Sequence, residues 1–322
     1  MTTKSNVLAL LEQARGESIS GEDIGNTLQV SRNAVWKAIK QLRNEGYIIH
    51  AITNKGYTLD TSNDFLSMGE LIPHLISEID KDNIHILDEV ESTNKIAKEF
   101  VVTDPKHGKI ILADSQTKGY GRFQRSFYSP AANGIYMSLI LQRKQLSFEQ
   151  PTIITFLSAI AVCDAIEELT DKRPVIKWIN DIYLDKKKIC GILTEATMDF
   201  ESNTIDWIVV GMGINFKGES FPKELEKKAG SIFGKELPNI TRSELIANII
   251  NKIFRYFKEY TVEQILDSYK QRLFIIDREI KVKEGKNIYQ AIALDIDKEG
   301  KLLVKRLDNG LHVLVSAGEI EI

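Results

Sequence analysis

Residues 118–125, Lys-Gly-Tyr-Gly-Arg-Phe-Gln-Arg, put three cations and two glycines into consecutive positions. Lys118, Arg122 and Arg125 bring positive charge, while Gly119 and Gly121 let the backbone approach a ligand closely and turn its amides inward. That combination suits a reaction that brings two anions together, as when a carboxylate is activated by attack on the α-phosphate of ATP. A flexible surface loop is the plain alternative. Two nucleotide-loop readings fail on spacing. Gln124 stands where a dinucleotide fingerprint needs its third glycine, and no G-x-x-x-x-G-K-[ST] occurs in the chain, so a phosphate-loop kinase is excluded.

Three further segments carry groups of the same kind. In IKWINDIYLDKKKICGIL, residues 176–193, Lys177 is flanked by Ile and Trp in a strand-like run, and a lysine there is costly to bury without an anionic partner. Asn180 and Asp181 follow it, and Lys188 stands where a charged turn becomes an apolar strand, with Gly191 three positions on. Lys188 reads either as an ammonium delivered into a cleft or as a charge at a hairpin tip. Ser92, Thr93 and Asn94 form a cluster of small hydrogen-bonding groups that could equally cap the helix after them. Gly211, Gly213 and Asn215 in VVGMGINF again miss a dinucleotide fingerprint and could simply soften the end of a buried strand.

The elements that must hold these groups are legible as patterns. From residue 63 to about 270, strand-like runs (IILAD, GIYMSLILQ, PVIKWIN, KICGILTEA, DWIVVGMGIN) alternate with long helical patterns, as in a mixed α/β domain. Residues 271–322 read as short strands separated by turns, a small β-barrel. Residues 1–62 read as three helices and a hairpin wing, followed by a polar linker, TSND, at 61–64. Ser31 caps the third helix, in which Val35, Ala38, Ile39 and Leu42 fall on one face and leave Arg32, Asn33, Trp36, Lys37 and Lys40 outward. A helix that reads DNA needs base-reading side chains near its start and cations along the same face, and these residues meet that need. A solvated face used for protein contacts is the alternative.

Composition sets outer bounds. With 42 Lys and Arg against 45 Asp and Glu the net charge is −3, so DNA contact has to come from a local cluster. The start of the chain lacks an apolar leader core, and no stretch approaches the roughly 20 apolar residues of a membrane span, which reads as a soluble cytoplasmic protein. Cys163 and Cys190 lie in apolar runs and read as buried free thiols, and the five histidines are scattered without the spacing of a zinc site.

Taken in order, ESTN, DSQTKGYGR, IKWINDIY, KKKICGIL, GMGINF and a closing GEIEI resemble the biotin protein ligase family. The amino-terminal winged helix makes the resemblance one to those members that also repress biotin genes. The resemblance implies a class II synthetase-like catalytic domain with a mixed sheet and an SH3-like C-terminal β-barrel. It implies that Ser92, Thr93, Asn94 and Gln116 hold the ureido ring of biotin, and that the stretch from Gly119 through Tyr120, Gly121 and Arg122 to Arg125 closes over biotin and its adenylate. Arg122 would face the activated carboxyl and phosphate, Lys188 the biotin carboxylate beside Gly191, and Lys177, Asn180 and Asp181 the phosphates and magnesium. Gly211, Gly213 and Asn215 would lie near the nucleotide.

The implied reaction joins biotin and ATP into biotinyl-5′-AMP and passes biotin to a lysine of a biotin carboxyl carrier domain. The adenylate would also act as corepressor, favouring a homodimer on operator DNA. Two residues depart from the family's usual G-R-G-R-x-x-R-x-W: Tyr120 replaces an arginine and Phe127 the tryptophan. A lipoate-type ligase and a ligand-sensing transcription factor without ligase activity are the competing readings.

Overall fold

The protein is seen in a computed structural model that describes residues 2–148, 150–199, 204–218 and 220–321. Ile322, which ends the GEIEI segment, lies outside the described residues. The chain divides into two compact units, Met1–Lys81 with Pro238–Asn251, and Asp82–Leu237 with Lys252–Ile322.

The first unit is a winged helix-turn-helix. Helices α1 (Thr3–Gln13), α2 (Gly21–Leu28) and α3 (Arg32–Asn44) pack around Val7, Leu8, Leu11, Ile24, Val35, Ala38, Ile39 and Leu42, all buried. Strands β1 (Ser18–Ile19), β2 (Ile49–Ile52) and β3 (Gly56–Leu59) form a sheet in the order β1-β3-β2, so the wing has a short third strand that the hairpin pattern did not announce. Its turn depends on Gly56, at φ +108° with the Ile19 carbonyl oxygen 2.1 Å from where a Cβ would stand. At the start of α2 the Ser20 hydroxyl oxygen accepts from the Asp23 amide, and its proton goes to the Asp23 carboxylate at 2.7 Å.

The polar segment read as a linker is fastened down. Asn63 is buried: its Oδ1 accepts from the Ile48 amide, and its Nδ2 donates to the Ile48 and Asp60 carbonyls. A side-chain amide can satisfy a strand edge in this way, which composition alone does not reveal. Arg15 adds bonds to the carbonyls of Thr61 and Asn63. The short helix α4 (Met68–Leu71) then packs on α1, with Gly69 against Leu8.

The second unit is built on a seven-stranded mixed sheet in the order β4-β5-β6-β10-β9-β8-β7. The strands are β4 (Ile84–Val90), β5 (Lys109–Gln116), β6 (Gly134–Gln142), β7 (Val175–Lys177), β8 (Asp181–Leu184), β9 (Lys187–Asp199) and β10 (Thr204–Asn215). Only β4 and β5 run parallel. Helix α5 (Thr93–Thr103) packs Ala97 onto Ile111, Ile140 and Val209 from β5, β6 and β10. Helix α6 (Pro151–Leu169), buried along most of its length, packs on β8, β9 and β10. Helix α7 (Arg242–Glu259) runs from the first unit into the second, changing at Lys252, and α8 (Val262–Lys270) follows.

Alternation along the strands decides what each face of the sheet carries. In β9, Thr194 bonds Thr155 of α6 while Glu195 bonds Asn94 of α5, so odd and even residues serve opposite faces. The C-terminal domain is a five-stranded antiparallel sheet in the order β14-β13-β12-β11-β15: β11 (Glu279–Glu284), β12 (Asn287–Ile296), β13 (Leu302–Arg306), β14 (His312–Val315) and β15 (Glu319–Glu321). It is tied to the catalytic body where the Trp178 indole N–H donates to the Gly300 carbonyl at 3.0 Å.

Candidate active site and nucleic-acid interface

One row of residues in register crosses five strands: Tyr136, Gly213, Gly191, Asp181 and Lys177 are successive partners on β6, β10, β9, β8 and β7. Partners in antiparallel strands point to the same face, so two glycines form the floor of a trough with charge at one end. The neighbouring row, Ser138–Gly211–Leu193, continues it. The G-x-G-x-N spacing of β10 is therefore a period of two that puts Gly211, Gly213 and Asn215 on one face.

The charged end centres on Asp181, which lies 2.6 Å from Lys188 Nζ. Lys188 reaches it because of a β-bulge: Ile182 pairs with Cys190 but Tyr183 pairs with Lys188, so Ile189 is extra. Without that residue the alternation would turn Lys188 to the α6 face; the bulge re-aims it into the trough. Gly191 leaves room for it, since a Cβ there would be 3.1 Å from Nζ.

Lys177 sits across from Asp181, its ammonium 5.6 Å from the Tyr183 ring centre. Burial pulls its pKa below the ordinary lysine value; Asp181 opposes this and Lys188 adds to it. Arg122 is likewise pulled down by burial and held up by Asp181 and Glu319, and as a guanidinium it stays charged. Lys188 thus pairs directly with Asp181, while Lys177 and Arg122 feel both Asp181 and Glu319.

The glycine-rich loop folds on itself. The Gly121 amide donates to the Arg125 carbonyl and the Phe127 amide to the Gly119 carbonyl, both at 2.8 Å. Gly119 is enclosed, since a Cβ there would stand under 3 Å from Ser129, Phe127 and Gln116. Two contacts tie the loop to the end of the chain: Arg122 donates to the Gly318 carbonyl at 3.3 Å, and Arg125 pairs with Glu319 at 2.5 Å. Phe127 lies over the trough floor, with its ring 2.5 Å from where a Gly213 Cβ would be and 3.7 Å from that of Gly191. Phe127 thereby separates the charged end from the neutral one.

At the neutral end Gln116 accepts from the Thr93 amide at 2.8 Å and donates to Ser129 at 3.0 Å. Ser92 stands at the N-cap of α5 and is buried, but its side chain makes no capping bond. Asn94 is pinned: its Nδ2 donates to Glu195 Oε2 at 2.8 Å and lies 3.4 Å from the Leu193 carbonyl oxygen, and its Oδ1 accepts from Ser138 at 2.6 Å. Gly211 makes space for this amide, which would otherwise meet a Cβ at 2.1 Å.

Asn180 braces β9, donating to the Ile192 carbonyl at 2.7 Å. Asn215 donates to the Gly230 carbonyl at 2.8 Å and lines a small pocket of about 70 Å³. Tyr128, Asn133, Tyr136 and Phe221 also line it, mixing aromatic faces with an amide. The sequence pattern does not single these residues out, because no spacing links the loop after Phe127 with residue 221. Gly211 and Gly213 instead lie beneath Asn94 and Phe127. Asp181 already spends an oxygen on Lys188, and the described residues hold no group of three or more His, Cys, Asp or Glu able to bind a metal.

On α3 the buried and exposed faces fall as the periodicity requires. Ser31 accepts from the Ala34 amide, and Ser31, Arg32, Asn33, Trp36, Lys37 and Lys40 are all exposed. Half of the Trp36 surface meets solvent, with the Lys40 ammonium 5.4 Å from its ring centre. The exposed face carries cations at its middle and hydrogen-bonding groups at its start, as a major-groove helix requires.

Comparison with known proteins agrees with this division. Residues 3–58 match an HTH domain, 87–215 the biotin/lipoate A/B protein ligase family, and 275–322 the biotin protein ligase C-terminal domain. The bifunctional ligase/repressor BirA of Bacillus subtilis is 33% identical over 324 residues, covering 98% of both chains. That of Escherichia coli is 27% identical, covering 100% of this chain and 97% of its own. Among solved structures, the biotin protein ligase from Aquifex aeolicus in complex with biotin and ATP superposes with a TM-score of 0.64 at 25% identity, over 74% of this chain and 98% of that one.

The lowered Lys177 pKa makes a testable statement about pH. Its ammonium is intact at low pH and is lost as pH rises through a value below the usual lysine figure near 10.4. Affinity for inorganic pyrophosphate, used as a probe, should therefore weaken early in the alkaline range. In Lys177→Arg that weakening should move to higher pH. Superimposable pH profiles for the two proteins would remove Lys177 from the anion site.

Proposed function

The chain belongs to the biotin protein ligase family, in its bifunctional ligase/repressor branch, and from this premise we propose how its own residues share the work. The protein is an ATP-dependent biotin protein ligase and a DNA-binding repressor. It uses biotin and ATP, forms biotinyl-5′-AMP, and transfers biotin to a carrier protein. The observation that carries our assignment of residues is the Lys188–Asp181 pair at 2.6 Å, in register with Lys177 across the strands, beside a glycine-floored trough.

A biotin carboxylate oxygen attacks the α-phosphorus of ATP, a new P–O bond forms, and the bond to the bridging oxygen breaks to release pyrophosphate. Lys188 binds the carboxylate, and its pairing with Asp181 holds it at the reacting end until substrate takes that place. Arg122 and Lys177 neutralise charge that builds on the phosphate oxygens, where fixed cations stabilise a transition state most. In the second step the ε-amine of a carrier-domain lysine attacks the acyl carbon of the mixed anhydride and AMP leaves.

The bicyclic ring of biotin lies at the neutral end, against Ser92, Thr93 and Gln116, with the Gly119–Arg125 loop above it. Asn94 acts there by holding α5 in place, since its own bonds are made within the protein. Adenine is assigned to the pocket beside Asn215, whose wall includes the edge-packed rings of Tyr128 and Phe221, and Arg125 leaves Glu319 to meet the nucleotide. The donor set around Asp181 does not make a resident metal site, so magnesium enters as part of the triphosphate substrate.

We divide the work among residues 1–62 for DNA, 63–270 for catalysis and 271–322 for a C-terminal cap that anchors the loop. Repression follows if the adenylate favours a homodimer that lays two α3 helices on a palindromic operator, because a ligand shifts an equilibrium only through unequal affinity for its two states. Plentiful acceptor consumes the adenylate and frees the operator. Among the described residues no helix is long and apolar enough to cross a membrane, and operator DNA and a carrier protein as partners support a cytoplasmic reaction.

Purified protein given biotin, ATP, magnesium and a carrier domain should attach biotin to the carrier, and Lys188→Ala should lower adenylate formation by on the order of 100-fold. A near-normal rate in that variant would take Lys188 out of the mechanism. Replacing Lys37 or Lys40 by Ala should reduce the slope of log affinity against log salt by about one for each phosphate left without its cation; an unchanged slope would move these residues off the DNA backbone. In sedimentation, biotin with ATP should shift the protein toward dimer, and equal dimerisation without them would defeat the corepressor reading.

A further inference from the structure

A carboxylate that the sequence pattern does not single out stands where the neutral end of the trough meets the loop. Glu195, at the centre of β9, gathers three donors. Lys98 Nζ of α5 approaches Oε1 at 3.0 Å, while Oε2 accepts from Asn94 Nδ2 at 2.8 Å and from the Tyr120 hydroxyl at 3.0 Å. Lys98 also donates to the Tyr120 oxygen at 3.0 Å and lies 5.6 Å from the centre of that ring. Burial works against the Lys98 ammonium, but its bonds to Tyr120 and Glu195 outweigh this and hold its pKa above the usual lysine value.

These three donors come from two pieces of the site, helix α5 and the glycine-rich loop. Asn94 fixes the start of α5, through Ser138 and the space left by Gly211. Tyr120 belongs to the loop, between the two glycines that shape it. Lys98 lies one turn further along α5 from Asn94 and presents its charge on the same side. The hydroxyl of Tyr120 is the loop's tie on this side of the trough, as Arg122 and Arg125 are its ties to Gly318 and Glu319 on the other.

We propose that Glu195 is a positioning residue for the ligase reaction: with Lys98 it latches the glycine-rich loop through Tyr120 and, with the same carboxylate oxygen, orients Asn94 at the biotin end. The inference rests on the ligase reading above. An ionised carboxylate is suited to the task because all three neighbours are donors. A glutamine of the same shape keeps one acceptor oxygen and puts an NH2 group in place of the other, facing either the Lys98 ammonium, which cannot accept, or the Asn94 amide and Tyr120 hydroxyl, which donate to this carboxylate. Losing a charge-assisted bond of this kind corresponds to roughly tenfold in an equilibrium or release rate.

The test is a cycle of Glu195→Gln, Tyr120→Phe and the double variant in the full-length protein. Biotinyl-adenylate is formed in place from biotin and labelled ATP, and its release is then followed after a chase. Each single variant should release the adenylate roughly tenfold faster than the wild type, with KM for biotin raised and kcat for adenylation changed less. The double variant should be no faster than Glu195→Gln alone, since both changes break one latch.

Release rates that match the wild type in Tyr120→Phe, which removes only a hydroxyl, would overturn the proposal. So would full multiplication of the two effects, or a lowered melting temperature with KM and release unchanged, which is the mark of a purely structural carboxylate. Should the wild type itself form no adenylate, the ligase reading fails first, and that result is distinct from a working ligase with an indifferent Glu195.

Discussion

The site depends on an absence of side chains on one face of β10. Strand alternation turns Gly211 and Gly213 to that face, and the volume they leave is filled by Asn94 at one position and Phe127 at the other. Everything else in the pocket is registered against those two groups. Asn94 sets the start of α5 and so the position of Thr93 and Gln116; Phe127 brings the end of the loop down onto the sheet. A methyl at either glycine would collide with a packed group, not with solvent, and close packing leaves little room for relaxation. One strand of alternating small residues therefore fixes both ends of the trough.

Electrostatics then distinguishes those ends. Asp181 pairs with Lys188, and the pKa values of Lys177 and Arg122 are depressed because burial disfavours their charge. This is the state expected of a site that waits for an anion: the cations are held close together at a cost, and a bound carboxylate and phosphate relieve it. At the other end, charge is confined to the Lys98–Glu195 pair, while Thr93, Gln116, Ser129 and Ser138 exchange neutral hydrogen bonds. A ligand with a polar neutral ring and an acidic tail finds both of its parts anticipated. The bulge at Ile189 gives this contrast its sharpness, since it delivers a lysine to the acidic-tail end from a strand position that would otherwise face α6.

Much of this is legible in the sequence where the signal is local. The face of α3 follows from a period of 3.6, and the exposed residues are those the periodicity leaves outward. Lys177 and Lys188 stand out because lysine is out of place in an apolar run, and the structure gives them Asp181 as neighbour. By the same logic Glu195 in KICGILTEA invites a question, yet its meaning depends on partners up to 101 positions away in sequence. The ties from Arg122 to Gly318 and from Arg125 to Glu319 are equally out of reach, the first spanning 196 positions. The TSND segment shows the opposite failure. Its composition suggests a free linker, but an asparagine that mimics a strand neighbour binds it to the winged helix.

The placement of the three tryptophans sets one of them apart. Trp178 and Trp207 are enclosed in the catalytic body, whereas Trp36 lies half in water on the DNA-facing helix. An indole half in water emits further to the red than enclosed ones, so a change in the surroundings of Trp36 alters the red side of the emission most. The exposed indole of α3 is thereby an intrinsic reporter of that helix, with no dye attached.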